Sequence, residues 1–259
     1  MIWTMTPVDI PILLFALSFL VLWAFVRLGA WLHKRRPPLK ENERENFNLI
    51  LGATLTLLGL IIGFSFSMAI SRYEQRKTYE EAEANAIGTE YLRASLLPAA
   101  DAASVQTLLG KYLDQRILFY EATPSRLADI NATTAQLQTA MWSALRPIAT
   151  AQPTPLVALA VSGMNDVLNA EGYTQAAWWN RIPFAAWALM LQIAIFGNVL
   201  LGYYLHDPLR PHWTKSTLSL ILPLILSISF LLIADIDSPR GGFIRVTPEN
   251  LISLSQSLH

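Results

Sequence analysis

Two short charged clusters and one helix face hold most of the side chains in this sequence that could do chemistry. The first cluster is Glu80-Glu81-Ala82-Glu83-Ala84-Asn85-Ala86-Ile87-Gly88-Thr89-Glu90-Tyr91-Leu92-Arg93. Along a helix, Glu83, Asn85, Glu90 and Arg93 lie close enough to pair charges or meet a partner. Gly88 within a helix costs ~1 kcal/mol relative to alanine, so a neighbour is expected to pack against it. The second cluster is Asp235-Ile236-Asp237-Ser238-Pro239-Arg240-Gly241-Gly242-Phe243-Ile244-Arg245-Val246. Two uses are open to Asp235, Asp237, Arg240 and Arg245: a structural ion-pair network, or the charged vestibule of an ion or ligand path. Pairing of Asp235 and Asp237 with Arg72 or Arg93, and of Arg240 and Arg245 with Glu83 or Glu90, is expected. Two aspartates at i and i+2 could hold a cation, but no supporting ligands follow them, so neither a metal site nor a cofactor is expected.

The helix face carries Gly52, Thr56, Gly59, Gly63 and Ser67, all three or four residues apart. Small residues let helix backbones approach closely in lipid, where association depends on packing. Two readings stand: tight contact with the first span or a neighbouring subunit, or a pore lining of small and hydroxyl groups. A different face of the same stretch carries Ile62, Phe66 and Ile70, spaced by four. Repeated around an oligomer axis, that row would form an apolar constriction that gates by dewetting.

Catalytic chemistry has little to work with. His33, His206, His212 and His259 are scattered without zinc spacing. There is no phosphate loop, no Gly-x-Ser-x-Gly elbow and no cysteine, which also excludes disulfides and thiolate chemistry. No hydrophobic span has an acidic residue at its middle, which argues against a proton-relay pump. An enzyme is not expected.

These residues must be positioned by helices in a membrane. Uncharged stretches run over 10–26, 47–71, 182–205 and 216–234, the first continuing apolar past Arg27 to Leu32. An α-helix rises about 1.5 Å per residue, so roughly 20 apolar residues cross a ~30 Å hydrocarbon core. Arg27, near a helix end, is expected to snorkel toward the interface. The start of the chain lacks the basic region of a signal peptide, so the first span is expected to be retained. The fold class is therefore an all-α integral membrane protein with four spans in two hairpins. The composition agrees, with 53% hydrophobic and 15% charged residues. Nineteen basic and nineteen acidic residues cancel, so nothing points to nucleic acid.

The organisation follows: a first hairpin over 1–71, an extramembrane helical domain over 72–181, a second hairpin over 182–234, and a charged motif with a short amphipathic helix over 235–259. Pro37-Pro38 breaks the first span, and Pro223 predicts a kink in the fourth. The second span is expected to continue without a break as far as Leu97-Pro98. A further helix carries Val105, Leu108, Tyr112, Leu113, Ile117 and Tyr120 on one face. Thr123-Pro124 reads as an N-cap with proline at the first helical position, before the stripe Leu127, Ile130, Thr134, Leu137, Met141, Leu145 and Ile148. The next helix starts at Thr154-Pro155 and ends near Gly172, with Leu156, Leu159, Met164 and Val167 inward. Thr247-Pro248-Glu249-Asn250 starts the last helix, with Leu251, Leu254 and Leu258 facing the bundle or interface. Trp3, Trp178, Trp179 and Trp213 read as interfacial anchors at span ends.

Spans two and four end on the same side, so both charged clusters emerge there. Lys34, Arg35, Arg36, Lys40 and Arg44 crowd the connection after the first span, which places the helical domain on the non-cytoplasmic side. Two short hairpins are too little protein to enclose a pore, so a symmetric homo-oligomer with span two nearest the axis is expected.

The two clusters also carry a resemblance. The stretch from Glu83 through Ala94 with Leu97-Pro98, and the stretch from Asp235 through Val246, resemble motifs of a bacterial membrane family called bestrophin-like. The resemblance covers nearly the whole chain and implies a multi-pass protein of the bacterial inner membrane. Bestrophins are pentameric anion channels with two spans, a helical domain and two more spans, and the Ile62, Phe66, Ile70 row is similar to their apolar pore neck. No dense acidic run follows span four here, so their calcium clasp is not implied, and their helical domain is cytoplasmic. The implied function is an oligomeric ion channel, for anions, with lipid, other copies of itself and inorganic ions as partners. The alternative is a non-conducting, membrane-anchored sensor or scaffold whose helical domain binds a partner or ligand.

Overall fold

A computed structural model describes residues 10–35, 40–205 and 212–258, without the side chains of residues 41 and 212–216. Trp3, Arg36, Pro37-Pro38, His206 and His259 lie outside the described residues, as do the side chains of His212, Trp213 and Lys215. The elements are α1 (Pro11–Arg35), α2 (Glu41–Ala94), α3 (Ala99–Glu121), a 3-10 turn (Pro124–Arg126), α4 (Leu127–Ala151), α5 (Pro155–Trp179), α6 (Phe184–Leu205), α7 (His212–Asp237) and α8 (Glu249–Leu258). Among the described residues there is no strand. Helices α1, α2, α6 and α7 provide the four stretches long and apolar enough to cross a bilayer. This is an all-α, four-span membrane protein. The chain divides into two compact units, 1–71 with 181–244, and 72–180 with 245–259.

In the membrane unit α1 packs on α6 and α7. The α1–α6 crossing is set by two glycines. A Cβ on Gly29 would collide with the carbonyl oxygen of Val199, and one on Gly202 with that of Val26. Only residues without side chains let these backbones approach so closely. Helix α2 turns Leu51, Leu58, Ser65 and Ala69 inward, and Leu55 reaches the α6 backbone beside Gly197. Helix α7 runs unbroken through Pro223.

The helical unit is a bundle with one continuous core. Of the α4 stripe, Leu127, Ile130, Thr134, Met141, Leu145 and Ile148 are buried and Leu137 is half-buried, as the three-and-four spacing predicts. Burying each large apolar side chain contributes ~1.5–3 kcal/mol. Helix α8 seats Leu251 in the core and packs Leu254 over Gly88, the neighbour expected there.

Four expectations are corrected. Helix α5 passes Gly172 and ends at Trp179, because a solvent-facing glycine weakens a helix without stopping it. Its inward face is Val157, Ala160, Gly163, Met164, Val167, Ala170 and Thr174, so Leu156 and Leu159 point outward. Thr123 does not cap α4: its hydroxyl meets Ser125 Oγ at 3.1 Å, and the 3-10 turn intervenes. Thr154 does cap α5, accepting from Val157 N. Trp178 is a core residue and not an interfacial anchor. It packs edge-on against Phe119 and Tyr120, whereas Trp179 is exposed.

Candidate functional site

The small-residue face of α2 is turned out of the chain. Gly52, Thr56, Gly59, Gly63 and Ser67 are all exposed, and nothing lies within 4 Å of a Cβ placed on any of the three glycines. The expected contact with the first span is therefore not made by this face. Close approach to α1 belongs to Gly202 of α6. Around the helix, 100° per residue sets the small face opposite Leu58, with Ile62, Phe66 and Ile70 on the flank between them. Ile62 and Phe66 are half-buried and Ile70 is exposed.

Further along α2, beyond the apolar stretch, the first charged cluster turns three carboxylates inward. Glu80, Glu83 and Glu90 are buried, Asn85 is exposed and Arg93 is half-buried. Glu83 accepts from Arg116 Nε, from Arg116 Nη2 at 3.4 Å and from Thr174 Oγ1 at 3.0 Å. The Arg116 guanidinium lies 4.4 Å from the Phe119 ring centre, and its Nη1 lies 3.8 Å from Glu171. Burial, and then the charge of Glu83, pushes the Tyr112 and Tyr120 hydroxyls well above their ordinary range, so both stay neutral. Arg116 Nη1 makes no hydrogen bond, but a buried ion pair held by a guanidinium and a hydroxyl is a structural device.

Glu80 caps α8. Its Oε1 accepts from the backbone N–H of Asn250 and of Leu251, each at 3.0 Å, and its Oε2 from Asn250 Nδ2 at 2.6 Å. A carboxylate at a helix N-terminus satisfies orphan donors and complements the dipole.

Glu90 is different. Neither of its oxygens has a hydrogen-bond partner. Its carboxylate sits against Gly163 of α5, where a Cβ would collide with Oε2. Burial pushes its pKa up to about 8, with Arg93 opposing and Asp166 adding to the rise. Arg93 Nη1 stands 3.6 Å from Asp166.

The second charged cluster closes the end of α7. Asp235 accepts from the backbone N–H of Phe243 at 2.7 Å and of Ile244 at 2.9 Å. Asp237 accepts from Arg181 Nε at 3.0 Å and from Ile182 N at 3.1 Å, fastening the start of α6. A Cβ on Gly242 would stand 2.8 Å from an Asp235 carboxylate oxygen, so the turn needs glycine there. Both aspartates are buried, Arg240 is half-buried and Arg245 is exposed. The partners expected were Arg72 or Arg93 for Asp235, and Arg240 or Arg245 for Glu83. Backbone N–H groups serve Asp235 instead, and Arg116 serves Glu83.

Arg116, Thr174, Glu80 and Arg181 had not been singled out from the sequence. The signal for Arg116 was available: it sits at an inward position of the α3 stripe, four residues from both Tyr112 and Tyr120. A charged side chain in an apolar register implies a buried partner.

A family model described as Bestrophin-like domain matches residues 20–251. Comparison with curated proteins finds no match. Crystal structures of a bacterial bestrophin homologue from Klebsiella pneumoniae share the fold. A tryptophan-to-alanine variant aligns with a TM-score of 0.69 at 13% identity, covering 94% of this chain and 95% of that one. A tyrosine-to-alanine variant gives 0.67 at 14% identity, covering 93% and 96%. A structure phased with zinc gives 0.66 at 16% identity, covering 95% and 96%.

Proposed function

Because this chain belongs to the Bestrophin-like family, we propose that it assembles as a symmetric homo-oligomer in a bacterial cytoplasmic membrane and conducts ions, anions first, through a pore lined by α2. The observation that carries this reading is the outward small-residue face of α2, exposed from Gly52 to Ser67, where none of the described residues comes within 4 Å of a Cβ placed on Gly52, Gly59 or Gly63. A row of glycines and hydroxyls costs a helix stability, so its use lies outside the single chain. Ile62, Phe66 and Ile70, on the flank of that face, form the apolar constriction. Of the charged clusters, Asn85, Arg93 and Arg245 remain within reach of solvent to shape the mouth, while the carboxylates Glu83, Glu90, Asp235 and Asp237 and two nitrogens of Arg240 are buried. The helical unit lies on the non-cytoplasmic side. A reporter inserted at 152–154, between α4 and α5, tests that side: activity of a cytoplasm-only reporter there reverses it.

The deciding measurement is current across planar bilayers containing the purified protein. Chloride current that rises on Phe66→Ala is expected. No current at any polarity with any anion, or a current indifferent to Phe66, would move the assignment to a membrane-anchored scaffold.

A further inference from the structure

One face of α1 carries an alternation that the pore does not use. Trp23, Arg27, Trp31 and Arg35 follow at four-residue intervals, so they climb one side of the helix. All four are exposed. The Arg35 guanidinium lies 4.1 Å from the Trp31 ring centre, and that of Arg27 lies 5.9 Å from Trp23. Each cation thus lies back over the indole one turn earlier in the chain. Arg27 was expected to snorkel toward the end of α1, and it stacks the other way.

That placement leaves a charge in need of an anion. Helix α1 has 25 residues and so spans about 37 Å, more than a ~30 Å hydrocarbon core. Arg27 is eight residues from its end, about 12 Å inward of Arg35. Arg35 therefore stands at headgroup level and Arg27 below it. Among the described residues no carboxylate meets Arg27 or Arg35. The tryptophans supply apolar faces with a polar N–H edge, suited to the boundary between headgroup and chain. Exposed Leu20 and Leu28 lie beside them.

We propose that this face of α1 binds an anionic phospholipid, its phosphate met by Arg35 at headgroup level, with Arg27 one stack lower adding its charge, and its acyl chains lying along Trp23, Leu20 and Leu28. A zwitterionic lipid fits less well, because its choline or ethanolamine cation would meet two guanidinium groups. The charge complementarity is with a membrane lipid, since only a lipid presents an anion at that depth.

Native mass spectrometry tests this on the full chain released from bilayers of equal phosphatidylglycerol and phosphatidylcholine. The wild-type protein should retain phosphatidylglycerol in excess. Arg27→Gln and Arg35→Gln should each lower that excess about fivefold, the effect of one basic residue near an anionic surface. Lys111→Gln, a charge lost from the helical unit, should leave it unchanged. Equal retention of both lipids by the wild type, or an excess that survives the Arg27→Gln/Arg35→Gln pair, overturns the proposal. The same spectra give the mass of the assembly. An excess lost only where the assembly has come apart also overturns the proposal, and assigns the face to a second copy of the chain. Should Arg27→Gln fail to fold, Arg35→Gln at the helix end carries the test alone.

Discussion

Glu83 and Glu90 stand seven residues apart on the same face of α2, and both are buried, yet their surroundings have little in common. Glu83 meets Arg116 of α3 and Thr174 of α5, so its charge is answered by a guanidinium and a hydroxyl. Glu90 meets Gly163 of α5, which gives it room and no donor. The helix bearing the two carboxylates is the same. What differs is whether the facing helix supplies a counter-charge or a gap. Burial of an acid thus has two physical outcomes: an ion pair that must be kept whole, or a carboxyl group that holds its proton at neutral pH.

The comparison breaks most visibly at Arg116. Arg116→Met strips Glu83 of its counter-charge and should cost about 3–5 kcal/mol. Unfolding of the detergent-solubilised protein measures this, and adding Glu83→Gln should return much of the loss. A cost below ~1 kcal/mol would mean that the pair contributes no more than an exposed one.

Glu90 comes next and reads out through pH. Its folded pKa lies near 8 against an ordinary value of 4.5, so between those values the folded state holds one proton more than the unfolded chain. Stability contributed by the protonated form is complete below pH 4.5 and is lost as pH rises to about 8. Glu90→Gln should therefore gain stability over the wild type steadily across that window, then hold a constant advantage above it. Parallel pH profiles of the two proteins would place Glu90 among the paired acids.

Gly163→Ala should cost about 1–3 kcal/mol, because its Cβ runs into the Glu90 carboxylate and Arg93. Combining it with Glu90→Ala should relieve most of that. A neutral Gly163→Ala would show that the gap beside Glu90 is loose. The smallest effect belongs to Glu80, the third acid of the series. Glu80→Ala removes the cap of α8, about 0.5–2 kcal/mol. Faster hydrogen exchange at the Asn250 and Leu251 amides, without global unfolding, is the expected result.

Much of the fold was legible in the sequence because helices in lipid and long amphipathic stripes announce themselves by length and period. The α4 stripe is the clearest case: large apolar residues recur every three or four positions with little else competing. Helix α5 was misread at Leu156 and Leu159 because its inward face is built of alanine, glycine and threonine, while leucine is turned outward. Periodicity of size misleads where close packing selects small residues. The charged clusters were recognised as such, but their partners were not. Asp235 is answered by backbone N–H groups, which carry no sequence signature, and Glu83 by an arginine 33 positions away. The glycines of α2 and those at 29 and 202 look alike as letters, and only the fold separates those with a neighbour from those without.

The crossing at Gly29 and Gly202 has a spectroscopic consequence. In each glycine a hydrogen occupies the place of the Cβ, and it points at a carbonyl oxygen of the facing helix, Val199 for one and Val26 for the other. Each carbonyl so approached gains a weak Cα–H donor besides its place in its own helix. Two amide groups, one on each helix, therefore share a reciprocal polarisation that their neighbours lack. Isotope labels at Val26 and Val199 should show amide I vibrations displaced to lower frequency, together, for as long as α1 and α6 stay in register.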